Sequence, residues 1–306
     1  MHLRDWALIT FTILAQMSVG SFLVLALVHL FATRKAGLEE ADRLSDRSLL
    51  AIIVVLALGL IASLFHLGNP LTAYKAVTNF GSSWLSREVL FGVTFFVLGV
   101  IYTFMQWRKI ASPGLRNILC WITALVGLVL VYCMSSVYML PAQPAWNTLA
   151  TPVLFYATTL LLGSLAMGVA FVVNYAYVQR KEPGCAESQC GLMRDAMRWI
   201  AVASIVLLGV ELVVLPIYVA SLAAGSAAAV QSAQLMTGHF LWAFILRILL
   251  VFIGAGLFAL FLYQNALSPG QEKLLGKLAY FAFALVLIAE VLGRFVFYAS
   301  AVRIGI

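Results

Sequence analysis

Eight long apolar runs dominate this sequence of 306 residues and limit it to one class of fold. They cover approximately residues 6–31, 49–66, 88–106, 117–139, 151–178, 199–222, 238–264 and 277–300. A transmembrane helix needs roughly 20 mostly apolar residues, whereas the strands of a membrane barrel alternate over about ten. The unbroken runs therefore predict an all-α integral membrane protein, a bundle of eight transmembrane helices forming a single domain, 1–306.

The positive charges divide unevenly between the two sides of the predicted bundle. A net charge of +7 could indicate nucleic-acid binding in a soluble chain, but only 10% of these residues are charged. Thirteen Lys and Arg residues follow helices 1, 3, 5 and 7, against four on the other side. Because cytoplasmic loops carry the excess of Lys and Arg, both termini are expected on the outer, periplasmic side of a bacterial inner membrane.

Few ionisable residues fall inside the predicted spans, and such residues mark functional sites by default. They are His29, His66, Glu88, Glu211, His239, Arg247, Glu290 and Arg294. Glu290 and Arg294 have the i, i+4 spacing of a helical ion pair, and Glu211 and Arg247 are expected to pair across helices. Since these charges cancel, a structural network is favoured over a proton path.

The other histidines and the cysteines have simpler interpretations. His29 lies near the inner end of helix 1, where we expect it to meet lipid headgroups, and His239 lies at the outer interface. Cys185 and Cys190 share an inner loop, but their spacing matches no strong zinc motif. No metal site is expected in this chain.

The segment "SLFHLGNPLTAYKAVTNFGSSWLSREVLFG", residues 63–92, joins helices 2 and 3. His66 ends one helix and Glu88 begins the next, so both are expected at the same outer depth. As a purely structural alternative, His66 caps its helix and Glu88 interacts with the positive end of helix 3. The connection is semi-apolar, which favours an interfacial segment that roofs a pocket entered from the lipid.

A histidine and a carboxylate under such a roof can accept the two protons of a quinol. Histidine exchanges its proton near neutral pH, which suits this role. On helix 1, Gln16 and Gly20 lie one turn apart, with Gln16 roughly 15 Å from the outer end at 1.5 Å per residue. Gln16 is expected either to donate to the second quinone carbonyl or to bond to a neighbouring helix. Arg87, next to Glu88, is included among the quinol-binding residues.

The connector after helix 4, "YMLPAQPAWNTLATP", contains three prolines and no charge. Proline fixes φ and keeps the preceding residue out of the helical region, so the connector should be stiff and extended. It suits a docking surface for another protein. The alternative is that Trp146 belongs to the aromatic belt at the membrane interface.

Four stretches of this sequence resemble one known family. They are "FTILAQMSVGSFLVLAL" in helix 1, residues 63–92, "VYMLPAQPAWNT" after helix 4 and "EVLGRFVFY" in helix 8. In the second stretch, a His-Leu-Gly-x-Pro motif precedes a Ser-x-Glu motif by some twenty residues. The chain thus resembles the membrane-anchor (C) subunit of anaerobic dimethyl sulfoxide reductase over nearly its whole length.

The resemblance implies a quinol dehydrogenase subunit without haem or any other metal centre. Such a subunit oxidises menaquinol to menaquinone and passes the electrons to an iron–sulfur subunit, which feeds a molybdopterin catalytic subunit. The quinol-site histidine and glutamate of the family correspond to His66 and Glu88 here. Both fall on the side that the charge count assigns to the outside.

Two other functions remain open from the sequence. A dihaem cytochrome b-type anchor needs four intramembrane histidines, and His2 lies in the outer tail, so at most three are available. One haem could be held only by His29 and His239, which lie near opposite faces. A secondary transporter would show internal repeats and broken helices, yet Pro216 is the only proline deep in a span.

Overall fold

The computed structural model describes residues 3–65, 78–181, 186–268 and 270–304, and within these ranges it is helical with no strand. Six long helices come first: α1 (Leu3–Ala36), α2 (Leu38–Leu64), α3 (Trp84–Arg108), α4 (Pro113–Tyr138), α5 (Ala150–Lys181) and α6 (Ala186–Ala223). Four follow: α7 (Ala227–Gln234), α8 (Leu241–Val251), α9 (Ala259–Ala266) and α10 (Glu272–Ala299). A π-helical turn, Leu235–His239, precedes α8, and another, Phe252–Phe258, joins α8 to α9.

Eight helices in the described part of the chain are long and apolar enough to cross a membrane, with α8 and α9 contributing one continuous span, Leu241–Ala266. The predicted number of spans is therefore confirmed, and the protein is a multi-pass membrane protein. Which end of the bundle faces outward stays a prediction.

Successive spans run in opposite directions, which gives the bundle two distinct ends. One end, called the Glu88 end below, holds the starts of α1, α3, α5 and α8 and the ends of α2, α4, α6 and α10. There the connector between α4 and α5 is bonded to the end of α10. The opposite end, called the His29 end, joins α1 to α2 and α3 to α4 by short turns.

The centre of the bundle is the crossing of α1 and α5, where two glycines face each other. A Cβ atom on Gly20 would lie 1.9 Å from the carbonyl oxygen of Thr159, and one on Gly163 would lie 2.2 Å from the backbone of Gly20. Small residues allow such close backbone approach, and packing of this kind drives helix association in lipid. Gly20 is thus placed against α5.

Replacing Gly20 by Val is expected to prevent normal packing of α1 on α5. The added side chain meets backbone atoms that cannot rotate away, so the loss should reach or exceed the roughly 1–3 kcal/mol typical of overpacking. The yield of folded subunit, measured by size-exclusion chromatography, should fall sharply. Gly209→Val is the matched control, because a Cβ atom on Gly209 meets nothing within 4 Å. Equal yields for the two variants would contradict the packing role.

Two helices begin earlier than the apolar runs predicted. The structure starts α2 at Leu38 rather than at 49, and α6 at Ala186 rather than at 199. These first turns are charged and so lie outside the apolar runs, but their polar side chains are paired within the protein. Gln189 donates to Glu40, for example, and Lys35 pairs with Asp195. Pairing lets a charged extension remain helical and packed.

His29 takes part in one of these polar clusters, so its side chain has a protein partner, and its expected contact with lipid headgroups stays a prediction. Its Nε2 lies 2.8 Å from Oδ1 of Asp42. Lys109 donates to both Asp42 and Asp46 at 2.7 Å, and Gln106 donates to the same two carboxylates. The cluster ties α1, α2 and the end of α3 together at the His29 end.

Candidate functional site

Glu88 lies in the second turn of α3, which begins at the Glu88 end of the bundle. The helix starts there because the side chain of Ser83 caps it, accepting a hydrogen bond from the backbone N–H of Ser86 at 3.3 Å. Glu88 is only 7% exposed, and it forms no hydrogen bond or ion pair with any residue that the structure describes. Burying a neutral polar group without a hydrogen bond costs on the order of 2–7 kcal/mol, and burying an ionised carboxylate costs more. Its position therefore favours a partner beyond the described residues.

Arg87 points away from Glu88, towards the turn before α3. Its Nε donates to the carbonyl of Phe80 at 3.0 Å and its Nη2 to that of Gly81 at 2.8 Å. The guanidinium also lies 4.3 Å from the ring centroid of Trp84, within cation–π range. These contacts give Arg87 a role in shaping the turn, and its predicted contact with quinol stays a prediction.

The roof of the predicted pocket is only partly described. His66 and the residues up to 77 lie outside the described residues, so the predicted pairing of His66 with Glu88 stays a prediction. The end of the connection is described, and there the apolar side chains Phe80, Trp84 and Leu85 are exposed. The rings of Trp84 and Tyr132 of α4 pack edge-to-face, with their centroids 5.6 Å apart.

Two tyrosines that were not among the predicted site residues lie near Glu88. The hydroxyls of Tyr138 and Tyr298 are 2.6 Å apart and share a hydrogen bond. Glu88 lies near enough to both rings to interact with them electrostatically. The spacing of Glu290, Arg294 and Tyr298 at i, i+4 and i+8 was the available signal, because it places all three on one helical face.

Gln16 is fully buried, and both ends of its amide are occupied by neighbouring helices. Its Oε1 accepts from Nη2 of Arg294 at 2.7 Å, and its Nε2 donates to the carbonyl of Phe155 at 3.1 Å. Of the two expectations for Gln16, the bond to a neighbouring helix is the one the structure contains. Direct contact of Gln16 or Gly20 with quinol stays a prediction.

The expected ion pair between Glu290 and Arg294 is wrong. Arg294 donates to Gln16 and lies 3.8 Å from the centroid of the Phe155 ring, so its guanidinium is bonded to other groups and is not within ion-pair distance of Glu290. Glu290 instead accepts from the hydroxyl of Thr158 at 2.6 Å. Helical spacing made the pair feasible, but the neighbouring helices supply better partners in other directions.

The expected pair between Glu211 and Arg247 is confirmed. Nη2 of Arg247 lies 3.1 Å from Oε2 of Glu211 and 3.7 Å from Oε1 of Glu290, and all three side chains are buried. One guanidinium on α8 therefore serves two carboxylates, one on α6 and one on α10. The preference for a structural network over a proton path stays a prediction.

Trp146, in the connector between α4 and α5, packs against the end of α10, and its expected place in an aromatic belt stays a prediction. Its Nε1 donates to the carbonyl of Phe297 at 2.8 Å, and its ring stacks on that of Phe297 at 5.4 Å. The backbone N–H of Ile304 donates to the carbonyl of Ala142, which fixes the chain after α10 to the same connector. The connector is thus held rigidly at the Glu88 end, beside Tyr138.

The histidines of the described residues are not placed to share a metal. His29 bonds to Asp42 at one end of the bundle, and His239 is exposed in the π-helical turn at the other end. Within the described ranges, no group of three His, Cys, Asp or Glu side chains converges on a point that could hold a metal ion. A single haem bridging His29 and His239 does not fit this arrangement.

Comparison with known proteins places this sequence among membrane anchors. A family model described as DMSO reductase anchor subunit (DmsC) matches residues 1–300. One chain of the anaerobic dimethyl sulfoxide reductase of Escherichia coli (strain K12) is 29% identical over 306 residues, which cover 99% of this sequence and 96% of that protein. The protein of the same name in Haemophilus influenzae is 32% identical over 171 residues, 56% of this sequence and 60% of that one. A sulfite dehydrogenase subunit of Allochromatium vinosum is 31% identical over 108 residues, 35% of this sequence and 33% of that one.

Proposed function

This chain belongs to the DMSO reductase anchor subunit (DmsC) family, and from that premise we propose that it oxidises menaquinol for a molybdopterin reductase. Family membership makes it the membrane anchor of an oxidoreductase complex. Under the proposal, the chain is a single domain in a bacterial inner membrane. It takes two electrons from menaquinol and passes them to an iron–sulfur subunit, which feeds a molybdopterin catalytic subunit.

The observation that carries this proposal is the buried carboxylate of Glu88, which has no hydrogen-bond or ion-pair partner among the described residues. Oxidising a quinol to a quinone releases two protons together with two electrons, so the site needs proton acceptors. Glu88 is proposed to accept one proton and His66, in the His-Leu-Gly-Asn-Pro motif, the other. The quinol head group would lie between the two side chains while its isoprenoid tail stays in lipid.

The remaining predicted site residues support this pocket in different ways. Arg87 is proposed to hold the turn over the head group through its bonds to Phe80 and Gly81. Gln16 and Gly20 are proposed to form the inner wall, with Gln16 positioned by Arg294 and α1 positioned by the close crossing at Gly20.

The direction of proton release follows from the proposed topology. The excess of Lys and Arg at the His29 end places that end in the cytoplasm by the positive-inside rule. Protons from Glu88 and His66 would then leave on the outer side, where the partner subunits would also receive the electrons. Because electrons and protons would leave on the same face of the membrane, this subunit alone would generate no membrane potential.

A second candidate is the reverse reaction, in which electrons enter from a partner and reduce a quinone. The similarity to a sulfite dehydrogenase subunit supports this candidate, because a dehydrogenase takes electrons from its substrate. The same residues would then donate protons to the quinone. Mixing the purified complex with menaquinol and, separately, with a reduced partner and menaquinone would show which direction is faster.

Replacing His66 by Gln is expected to weaken binding of a quinone-analogue inhibitor while the complex still assembles. Losing a hydrogen bond to a buried ligand group costs about 0.5–1.5 kcal/mol, or up to about 3 where a charge takes part. The inhibitor dissociation constant should therefore rise roughly two- to more than a hundredfold, by an amount that varies with pH near neutrality. Titrating the inhibitor into both proteins tests this, and equal, pH-independent affinities would remove His66 from the site.

Two measurements distinguish the proposal from its rivals. An absorption spectrum of the dithionite-reduced complex should lack a haem α-band, and its presence would identify a cytochrome b-type anchor. Purification through a tag on this chain should bring down two large partner subunits. A secondary transporter would purify alone.

A further inference from the structure

A partly open cavity lies between α5, α6, α8 and α10, in a different part of the bundle from Glu88. Its wall carries the charged side chains of Arg247, Glu290 and Arg294, together with the hydroxyls of Thr158 and Tyr218. The empty space amounts to about 560 Å³ out to its open mouth, of which the centre of a water molecule could reach about 50 Å³. The proposed quinol oxidation uses none of this space.

The size and chemistry of the cavity indicate water as its occupant. A bound water needs roughly 10–15 Å³ of such space, so about 50 Å³ holds a few waters. Three buried polar atoms beside it have no hydrogen-bond partner: Oε1 of Glu290, Oε1 of Glu211 and Nε of Arg247. Buried polar atoms are nearly always hydrogen-bonded, and bound water supplies the missing partners.

We propose that this cavity is a water-filled proton-binding site in which Glu290 takes up and releases a proton. On uptake, a hydronium ion in the bound water transfers its proton to Oε1 of Glu290 and becomes a water molecule. On release, the same bond breaks and the proton returns to the water. The proposal does not rest on quinol oxidation at Glu88.

The partners of Glu290 can accommodate both of its charge states. When the carboxylate is ionised, Nη2 of Arg247 balances it from 3.7 Å. When it is protonated, Arg247 keeps its closer partner, Glu211, at 3.1 Å and is not left as an unpaired buried charge. The hydroxyl of Thr158 donates to Oε2 in the present arrangement and can rotate to accept instead.

The groups that face Glu290 limit uptake to one proton. The titratable and charged side chains among the described residues of the cavity and its border are Glu211 and Tyr218 on α6, Arg247 on α8 and Arg294 on α10. The wall of α5 contributes hydroxyls, including that of Thr158. The charges of two arginines and two ionised glutamates sum to zero. One bound proton gives the cluster a net charge of +1, and a second would raise it to +2.

The cavity extends towards the Glu88 end of the bundle. Its wall includes Ala150 and Thr151, the first residues of α5. At the same level, the hydroxyl of Tyr218 donates to the carbonyl of Ala145 in the connector between α4 and α5 at 2.7 Å. Protons bound by Glu290 therefore exchange with the solution at this end.

Hydroxyl-radical footprinting of the purified complex tests for the water. X-ray pulses convert bound water to radicals that oxidise methionines in contact with it. Met236 lines the cavity and Met134 lies in the core, and both are buried, at 3% and 0% exposed. Met236 should be oxidised much faster than Met134. Equal protection of the two methionines would show that the cavity is dry and overturn the proposal.

Infrared difference spectra between acidic and neutral pH test for the proton. The wild-type complex should show the carbonyl band of a protonated carboxylic acid that shifts in D₂O. The band should be lost in Glu290→Gln, kept in the exposed control Glu39→Gln, and moved to higher frequency in Thr158→Val, which lacks the hydrogen bond to Glu290. Identical wild-type and Glu290→Gln spectra would overturn the proposal. If Glu290→Gln does not assemble, the Thr158→Val spectrum decides: a band at the wild-type frequency would overturn the proposal.

Discussion

Replacing Glu88 by Gln is expected to leave the complex assembled and to slow menaquinol oxidation by about 10²–10⁴-fold, the usual loss when one proton acceptor is removed. Gln has nearly the shape of Glu and needs no counter-ion, so the buried position should tolerate it well. Stopped-flow oxidation of a menaquinol analogue by the purified complex measures the rate directly. The loss should appear mainly in kcat, because the carboxylate is proposed to act in proton transfer.

The control for this experiment is Glu39→Gln, which neutralises an exposed glutamate at the other end of the bundle. It should leave the rate unchanged, since the ion-pair partner of Glu39 among the described residues is Arg43 at the surface and such pairs contribute little. Wild-type turnover in Glu88→Gln would exclude proton transfer by Glu88. Interaction with the positive end of α3 would then be the better account of this residue.

The sequence predicted the bundle well because burial in lipid leaves a strong one-dimensional signal. Runs of apolar residues identified all eight spans, and a single carboxylate near the start of one of them singled out Glu88 as a candidate site residue. The starts of α2 and α6 were placed too late for the same reason. Hydropathy counts Asp42 and Gln189 as polar, and it cannot register that each is paired inside the protein.

Partners of the buried charges were predicted correctly only where few alternatives existed. Glu211 and Arg247 pair across helices as predicted. Arg294 instead donates to Gln16 and contacts the ring of Phe155, and it does not pair with Glu290. That choice depends on which helices cross nearby, and the crossing of α1 and α5 is set by the glycine contact at Gly20. Periodicity within one helix carries no information about it.

The largest effect on stability is expected from replacing Arg247 by Met. The guanidinium is the only cation within 4 Å of Glu211 or Glu290 among the described residues, and all three side chains are buried. Removing one partner from a buried ion pair typically costs about 3–5 kcal/mol, because the remaining charge stays in a medium that solvates it poorly. The temperature at which the purified complex unfolds should fall markedly, and less subunit should reach the membrane.

Two companion variants identify the cause of that loss. Arg198→Met removes a surface arginine whose pair with Asp195 is 3.7 Å long and 41% exposed on the arginine side, so it should cost no more than about 1 kcal/mol. Adding Glu211→Gln and Glu290→Gln to Arg247→Met removes the unpaired charges and should recover most of the lost stability, since neutral replacements of buried ionic groups are often tolerated. If Arg247→Met unfolds at the same temperature as Arg198→Met, the two carboxylates do not depend on Arg247. They would then be held neutral or solvated by the cavity water alone.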